Sequence, residues 1–335
     1  MRVVDCGFFE NYAGFQGGAI FNAGASNGVS SPNFLNCTFR KQKAEFDGGA
    51  IYNSGLAGTS NPVFNLCVFE NNAAGLAGGA VMNFGHSGSA NPIFMDCIFS
   101  GNSSMHGGAI HNAGVENGQS NPQLTACVFE SNTAESYGGA VYNDGQEGIA
   151  NAIFLSCRFT SNSTSFQGGA MFNNGDDGTS SPTIKSCFFK TNYAASAGGA
   201  IFNQADRGTS SPMIDSSVFT ANHASGGGGA ICNFSSTLGI VNPVVTQCLF
   251  SQNLAESTVG GAIWDNAIGG ICNPTYSDCV FARNQAGQGG AVKSIGKGAS
   301  TNYNPTFLNC TFNQNSASTF GGAIFYNWND EHYPR

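Results

Sequence analysis

Acidic residues are the first candidates for chemistry in this chain, because two carboxylates held close together can act as a general acid–base pair or grip a cation. Most of the twenty Asp and Glu are scattered, but one set recurs in step. Glu116, Glu147 and Asp177 each lie nine residues after the first glycine of a Gly-Gly pair, with Asp176 adjacent and Arg207 next in the series. If the pairs mark successive turns of a repeating fold, Glu116, Glu147, Asp176 and Asp177 line one loop edge. That edge offers a weak calcium site, or a carboxylate pair at the spacing glycosidases use, roughly 5–9.5 Å. A Gly-rich loop is a poor platform for a precise catalytic site, so solvated charge is the plainest reading. No resident cofactor is implied, and neither an EF-hand loop nor a G-G-x-G-x-D calcium repeat is present.

Aromatic residues form a second set. The residue before the Asn of each G-G-A-[I/V]-x-N segment includes Phe21, Tyr52, Tyr142, Phe172, Phe202 and Trp264, with His111, Cys232 and Lys293 at the same place. Its preceding neighbour is always apolar, so strand alternation points that neighbour inward and the aromatic column outward. A stripe of stacked rings is suited to sugar rings or a partner protein, unless the following nine-residue loop folds over it. Cysteine is the third set. Ten of the twelve occupy one recurring position, interrupted by Ser217, and Cys232 and Cys272 lie outside it. Neighbours in such a file point the same way about 4.8 Å apart, whereas a disulfide needs converging Cβ atoms near 3.8 Å. The file therefore reads as reduced core thiols, which leaves Cys232 and Cys272 as the candidates for reactivity.

These sets owe their alignment to a repeat. The unit, P-x-F-x-x-C-x-F-x-x-N, a spacer, G-G-A-[I/V]-x-N and a Gly/Ser loop, recurs every 29 to 32 residues, with eleven copies of the glycine pair. Phe8, Phe39, Phe69, Phe99, Phe129, Phe159, Phe189, Phe219, Phe250, Phe281 and Phe312 form an unbroken column two residues after the cysteine position. Apolar runs are two to four residues long without 3.6-residue periodicity, which excludes amphipathic helices and favours about three short strands per unit. One unit cannot bury its own apolar side; stacked on copies of itself it can. The expected fold is all-β: a right-handed parallel β-helix, a β-solenoid of about eleven coils of about 30 residues, spanning 1–335 as one repeat domain with a non-repeat tail at 328–335. Ten steps of about 4.8 Å make a rod about 48 Å long. Asparagines at the bends are expected to form hydrogen-bonded ladders, and the double glycine marks a corner needing positive φ or close backbone approach.

Recurring G-G-A-[I/V] with F-x-x-N resembles the repeats of chlamydial polymorphic outer membrane proteins and the related right-handed β-helix repeat proteins of other bacteria, over essentially Cys6 to Asn327. The resemblance implies export, an extracellular or outer-membrane location, and an adhesive role toward a host or neighbouring-cell surface protein or glycan. The β-barrel translocator or sorting domain that follows such repeats has no counterpart in this sequence, and residues 1–10 lack the regions of a signal peptide. With both ends of the stack uncapped, the chain reads as a fragment of a longer protein; the alternative is a complete chain with WNDEHYPR as a charged cap.

Composition narrows the function classes. A net charge of −8 with twelve scattered Lys and Arg argues against nucleic-acid partners, and no apolar run is long enough for a helical membrane span. The leading expectation is a non-enzymatic adhesin or stalk segment presenting loops and an aromatic stripe. The alternative is a carbohydrate-active β-helix, lyase or glycoside hydrolase-like, with its site on the acidic edge, in the irregular coils from Val241 to Asn304, or in a missing part.

Overall fold

A computed structural model describes residues 1–256, 259–297 and 302–328; the expected tail lies, from residue 329 on, outside the described residues. No helix occurs among them. The chain winds into a solenoid whose four long sheets each contain eleven parallel strands, one from every coil. A typical coil contributes Asn33–Leu35, Thr38–Arg40, Lys43–Ala44 and Ile51–Ser54, one strand to each sheet. That is four strands per coil where three were expected. The extra one is the two-residue strand after the F-x-x-N asparagine position, too short to leave a hydrophobic signature.

Corners separate the strands, and each is built by a residue with positive φ. Asn36 (φ 50°) and Lys41 (φ 55°) turn the chain before the second and third strands, and their counterparts in other coils do the same. The glycine pair makes the next corner, with a separate task for each member. Gly168 takes φ 70°, as the first glycine of every pair takes a positive value. Gly169 has ordinary φ, but a Cβ there would lie 2.1 Å from the carbonyl oxygen of Gly199 in the next coil. One glycine is required for conformation and the other for backbone approach.

Register is held from coil to coil. Phe39 pairs with Phe69, Phe69 with Phe99, and so on through the second sheet. Changes in repeat length fall in the spacer before the glycine pair and in the Gly/Ser loop after it, and one-residue bulges mark two of the spacers, at Ser104/His106 and again at Ala286/Gln288. Inside the coils the unbroken Phe column stacks at ring-centroid separations of 4.7–5.0 Å and interplanar angles of 2–8°. The file of Phe34, Phe64 and Phe94 packs edge-on against it. Each buried Phe contributes about 1.5–3 kcal/mol.

Two polar ladders run through the same interior. In the first, the Oδ1 of Asn162 accepts both the backbone N–H and the side-chain amide of Asn132, while its own Nδ2 donates to the Phe129 carbonyl and to Asn192. In the second, the asparagines closing G-G-A-[I/V]-x-N donate amide to amide, Asn143 to Asn173 to Asn203 to Asn233, at 2.7–2.8 Å. These groups are fully buried and every one shown is paired, which removes the cost of an unsatisfied polar core. All twelve cysteines are free. Those of the file donate Sγ–H to the carbonyl two residues back, as Cys97 does to Met95, so the file is a row of small core thiols.

Candidate functional site

The Gly/Ser loop carries the acidic edge, and it stacks in register instead of dangling. Thr59 N–H donates to the Gly24 and Gly28 carbonyls of the preceding loop, and Asp177 N–H donates to the Asp206 carbonyl of the following one. Glu116, Glu147, Asp177 and Arg207 occupy one turn position with φ of 48°, 57°, 53° and 54°. This is the alignment expected from the spacing, but the carboxylates do not converge. Arg207 grips Asp177 with both prongs, Nε to Oδ1 at 2.8 Å and Nη2 to Oδ2 at 2.9 Å, and holds its carboxyl below the usual range. Asp176 accepts from the Gln204 amide at 2.8 Å and the Asp206 N–H at 2.7 Å, while partial burial pushes its pKa up. Glu116 lies 3.1 Å from His86 Nε2, and Glu147 is exposed. Among the described residues, no three His, Cys, Asp or Glu side chains gather as a metal-holding group. The edge is a line of separate, largely solvated charges, three of them engaged by neighbouring side chains.

The aromatic column points outward, as alternation requires, yet most of it is covered. Tyr52, Tyr142, Phe172 and Phe202 are between 2% and 8% exposed, and of the six proposed rings only Phe21, in the first coil, is well exposed at 50%. Trp264 is intermediate. The cover comes from the residue just before the glycine pair and from the outward residue two places after the ring. Tyr137 packs against Phe172 with ring centroids 4.6 Å apart, and Phe84 lies beside Tyr52 at 6.1 Å. Positive φ at the first glycine doubles the chain back, which brings the preceding residue over the outer face of the strand. The column is thus a second apolar seam and not an open platform. It forms two clusters, one around Tyr52 and Met82, the other around Tyr142, Phe172, Phe202 and Cys232.

The second seam has a gap. In register, Cys232 lies between Phe202 on one side and Trp264 on the other. A cavity of about 170 Å³ opens there, lined by Ala197, Phe202, Cys232, Phe234 and Trp264, with Gln167, Ser196 and Gln204 completing the wall.

Cys232 and Cys272 are fully buried, and burial pushes both thiols well above the ordinary range. The expectation of reactivity at these two cysteines fails for that reason: thiolate character needs partial exposure or a nearby positive charge.

The irregular coils contain a group whose role the sequence did not disclose. Asp265 replaces asparagine in the second ladder and is fully buried. Its Oδ1 accepts from Asn233 Nδ2 at 2.7 Å and from Tyr276 O–H at 2.8 Å, and its Oδ2 accepts from Ser294 at 3.0 Å. Burial raises its pKa to about 6 against these three donors. Tyr276 is also fully buried, in the file otherwise filled by Phe and aliphatic residues. The available signal was the coincidence of two departures, Asp in an Asn column and Tyr in an apolar one.

With this geometry in place, likeness to known proteins can be weighed. The model of the Chlamydia polymorphic membrane protein (Chlamydia_PMP) repeat matches residues 96–113, 126–144, 216–233 and 309–327. Each match begins at the positive-φ residue before the Cys position and ends at or just beyond the Asn of G-G-A-[I/V]-x-N, so it follows the structural corners. The chain carries this repeat. No curated protein matches. A solved structure described as the Streptococcus pneumoniae surface protein and adhesin PfbA is similar at 9% identity, covering 95% of this chain and 92% of that one, with a TM-score of 0.29.

Proposed function

We propose that this chain of polymorphic membrane protein repeats is a non-enzymatic, surface-exposed stalk or adhesin segment, which holds its loops and outer sheet faces toward a protein or glycan on a host or neighbouring cell. One observation carries the reading: four eleven-stranded parallel sheets run the length of the solenoid, and the buried Phe and Asn ladders repeat from coil to coil. Outward positions and loop tips vary from coil to coil while the interior Phe column does not, as suits a rigid body that displays a changeable surface. On the acidic edge Glu116, Asp176 and Asp177 are engaged by His86, Gln204 and Arg207, and the buried Asp265 has no solvent through which to meet a polymer. The repeat itself supports an outer-membrane or surface location.

The test has three arms. Intact cells of the source organism, treated briefly with protease, should lose the chain while cytosolic markers survive. The purified chain, applied to arrays of glycans and surface proteins, should retain at least one class of ligand. Incubated with a panel of polysaccharides, it should release no new reducing ends or unsaturated products. Depolymerisation that disappears in Glu147→Gln or Asp176→Asn would reverse the non-enzymatic assignment, and protease resistance on intact cells would reverse the surface assignment.

A further inference from the structure

Two imidazoles interrupt the outer seam at coil four. Of the ring column, the first apolar cluster holds Tyr52 and Met82, and the second holds Tyr142, Phe172, Phe202 and Cys232. In register between Met82 and Tyr142 stands His111, and the covering position before the glycine pair of the same coil is His106. No other coil places a histidine at either position.

Both side chains are held by rings and not by hydrogen bonds. His106 stacks on Tyr137 at 5.4 Å and 13°, with Tyr142 at 5.8 Å, and His111 lies 4.6 Å from Tyr142. His111 is 6% exposed, and both its nitrogens are buried without a hydrogen-bond partner, as is Nδ1 of His106. Asp144 Oδ2 is 3.8 Å from His111 Nε2, beyond hydrogen-bond range, while Oδ1 accepts from Asn174 at 3.0 Å. Each unpaired buried nitrogen opposes closure, because water would satisfy it on opening. The Ser104/His106 bulge also interrupts the strand pairing beside this level.

Acid adds a charge that the closed seam solvates poorly. Burial opposes the His106 imidazolium first, His111 opposes it next and Asp144 favours it, so that His106 is pushed down to about 4. The tyrosines that face it add no charge of their own from Tyr142, which burial holds well above its ordinary range. Glu135, on the strand of Tyr137, is exposed, and Asp176 stands two coils further on. A tyrosine face favours a cation, but it offsets only part of the burial cost. Closure is therefore intact above the ordinary imidazole value of 6.5 and weakens as pH falls from there through about 4. The separation of those two values bounds the change in the open–closed ratio at about 300-fold.

We propose that coil four is an acid-sensitive joint in the outer seam, where protonation lifts His106 off Tyr137 and Tyr142 and uncovers the aromatic column beneath. The joint goes beyond the stalk reading and does not depend on it, since it concerns closure and not what the surface binds.

Amide exchange on the full chain reads the opening. His106 N–H donates to the Leu76 carbonyl of the preceding coil, and Gly107 N–H to the Tyr137 carbonyl of the following one. Their protection factors should fall about tenfold or more from pH 7 to pH 5. Those of Gln167 and Gly168, at the same two positions in coil six, should hold. His106→Gln should abolish the fall, and glutamine already fills this place as Gln16, Gln167 and Gln288. Asp265 titrates in the opposite sense five coils away and cannot supply the effect. A second measurement, on the parent, needs no variant to fold: the His106 ring protons, assigned through the backbone, should titrate below about pH 5. Equal protection at the two pH values, an equal fall in coil six, a fall that persists in folded His106→Gln, or titration of His106 at the ordinary imidazole value would overturn the joint.

Discussion

At the scale of single residues, a repeat makes departures informative, and Asp265 is the sharpest of them. A carboxylate whose folded pKa is raised holds its proton more tightly in the native state than in the unfolded chain. Its stabilising contribution is therefore present below about pH 4 and is lost as pH rises through about 6. A rise from 3.8 to about 6 corresponds to roughly 3 kcal/mol, an order-of-magnitude figure for so deeply buried a group. The titratable groups around it, Cys232, Cys272, Tyr276 and Tyr303, are all pushed above their ordinary ranges and stay neutral in that window. Asp265→Asn restores the ladder residue and keeps an acceptor for Tyr276. It should stabilise the chain by about 1–3 kcal/mol at pH 7 and flatten the stability profile between pH 4 and 6, read by urea denaturation at several pH values. An unchanged pH profile would refute the assignment. Phe159 supplies the apolar counterpart. With parallel rings 4.7 Å away on both sides, Phe159→Ala should cost about 3–5 kcal/mol, because neither neighbouring coil can collapse into the gap. Glu130→Ala, one residue after Phe129 and exposed, should stay within about 0.5 kcal/mol. Equal costs would rule out stacked coils.

At the scale of elements, the glycine pair explains both what the sequence disclosed and what it withheld. The coil period, the parallel stacking, the reduced cysteine file and the inward Phe and Ile were all readable, because each depends on alternation within a strand and identity between coils. The fourth strand was not, since a two-residue strand leaves no periodicity of its own. The cover over Tyr52, Tyr142, Phe172 and Phe202 was also hidden. Alternation tells which way a side chain leaves the sheet, but not that the chain doubles back at the first glycine and lays Tyr137 or Phe84 over it. The acidic edge was aligned correctly, yet its function turns on side-chain contacts such as Arg207 with Asp177, which spacing cannot resolve. The separate roles of the two glycines can be measured. Gly168→Ala should cost about 1–2 kcal/mol for the left-handed backbone alone, with any crowding added. Gly169→Ala meets backbone at 2.1 Å with no flexible side chain to yield. It should force adjacent coils apart, at a cost of about 1–3 kcal/mol or more. Hydrogen exchange would separate the two: Gly169→Ala should lose protection at Gly139 and Gly169, whose N–H groups bond to Gly168 and Gly198 across coils, while Gly168→Ala spares the distant coils. Identical exchange patterns would contradict this division of labour.

At the scale of the whole molecule, each coil touches chiefly its two neighbours, so the solenoid should tolerate changes in coil number far better than changes in phase. Deleting residues 126–155 joins Thr125 to Ser156. Cys157, Phe159 and Asn162 then occupy the places of Cys127, Phe129 and Asn132, all in the registers already seen between these coils. The ten-coil product should fold and keep its strand content. Deleting 126–140 removes half a period. It would place outward residues opposite the Phe column, and a one-residue slip is already enough to turn a strand inside out. That variant should lose cooperative unfolding or aggregate. The comparison isolates phase from chain length, because the variant missing more residues is expected to be the better folded one. If the shorter deletion folds as well as the longer, the coils are not held by the Phe and Asn ladders, and the rigid display that the surface role requires would have to come from elsewhere in the chain.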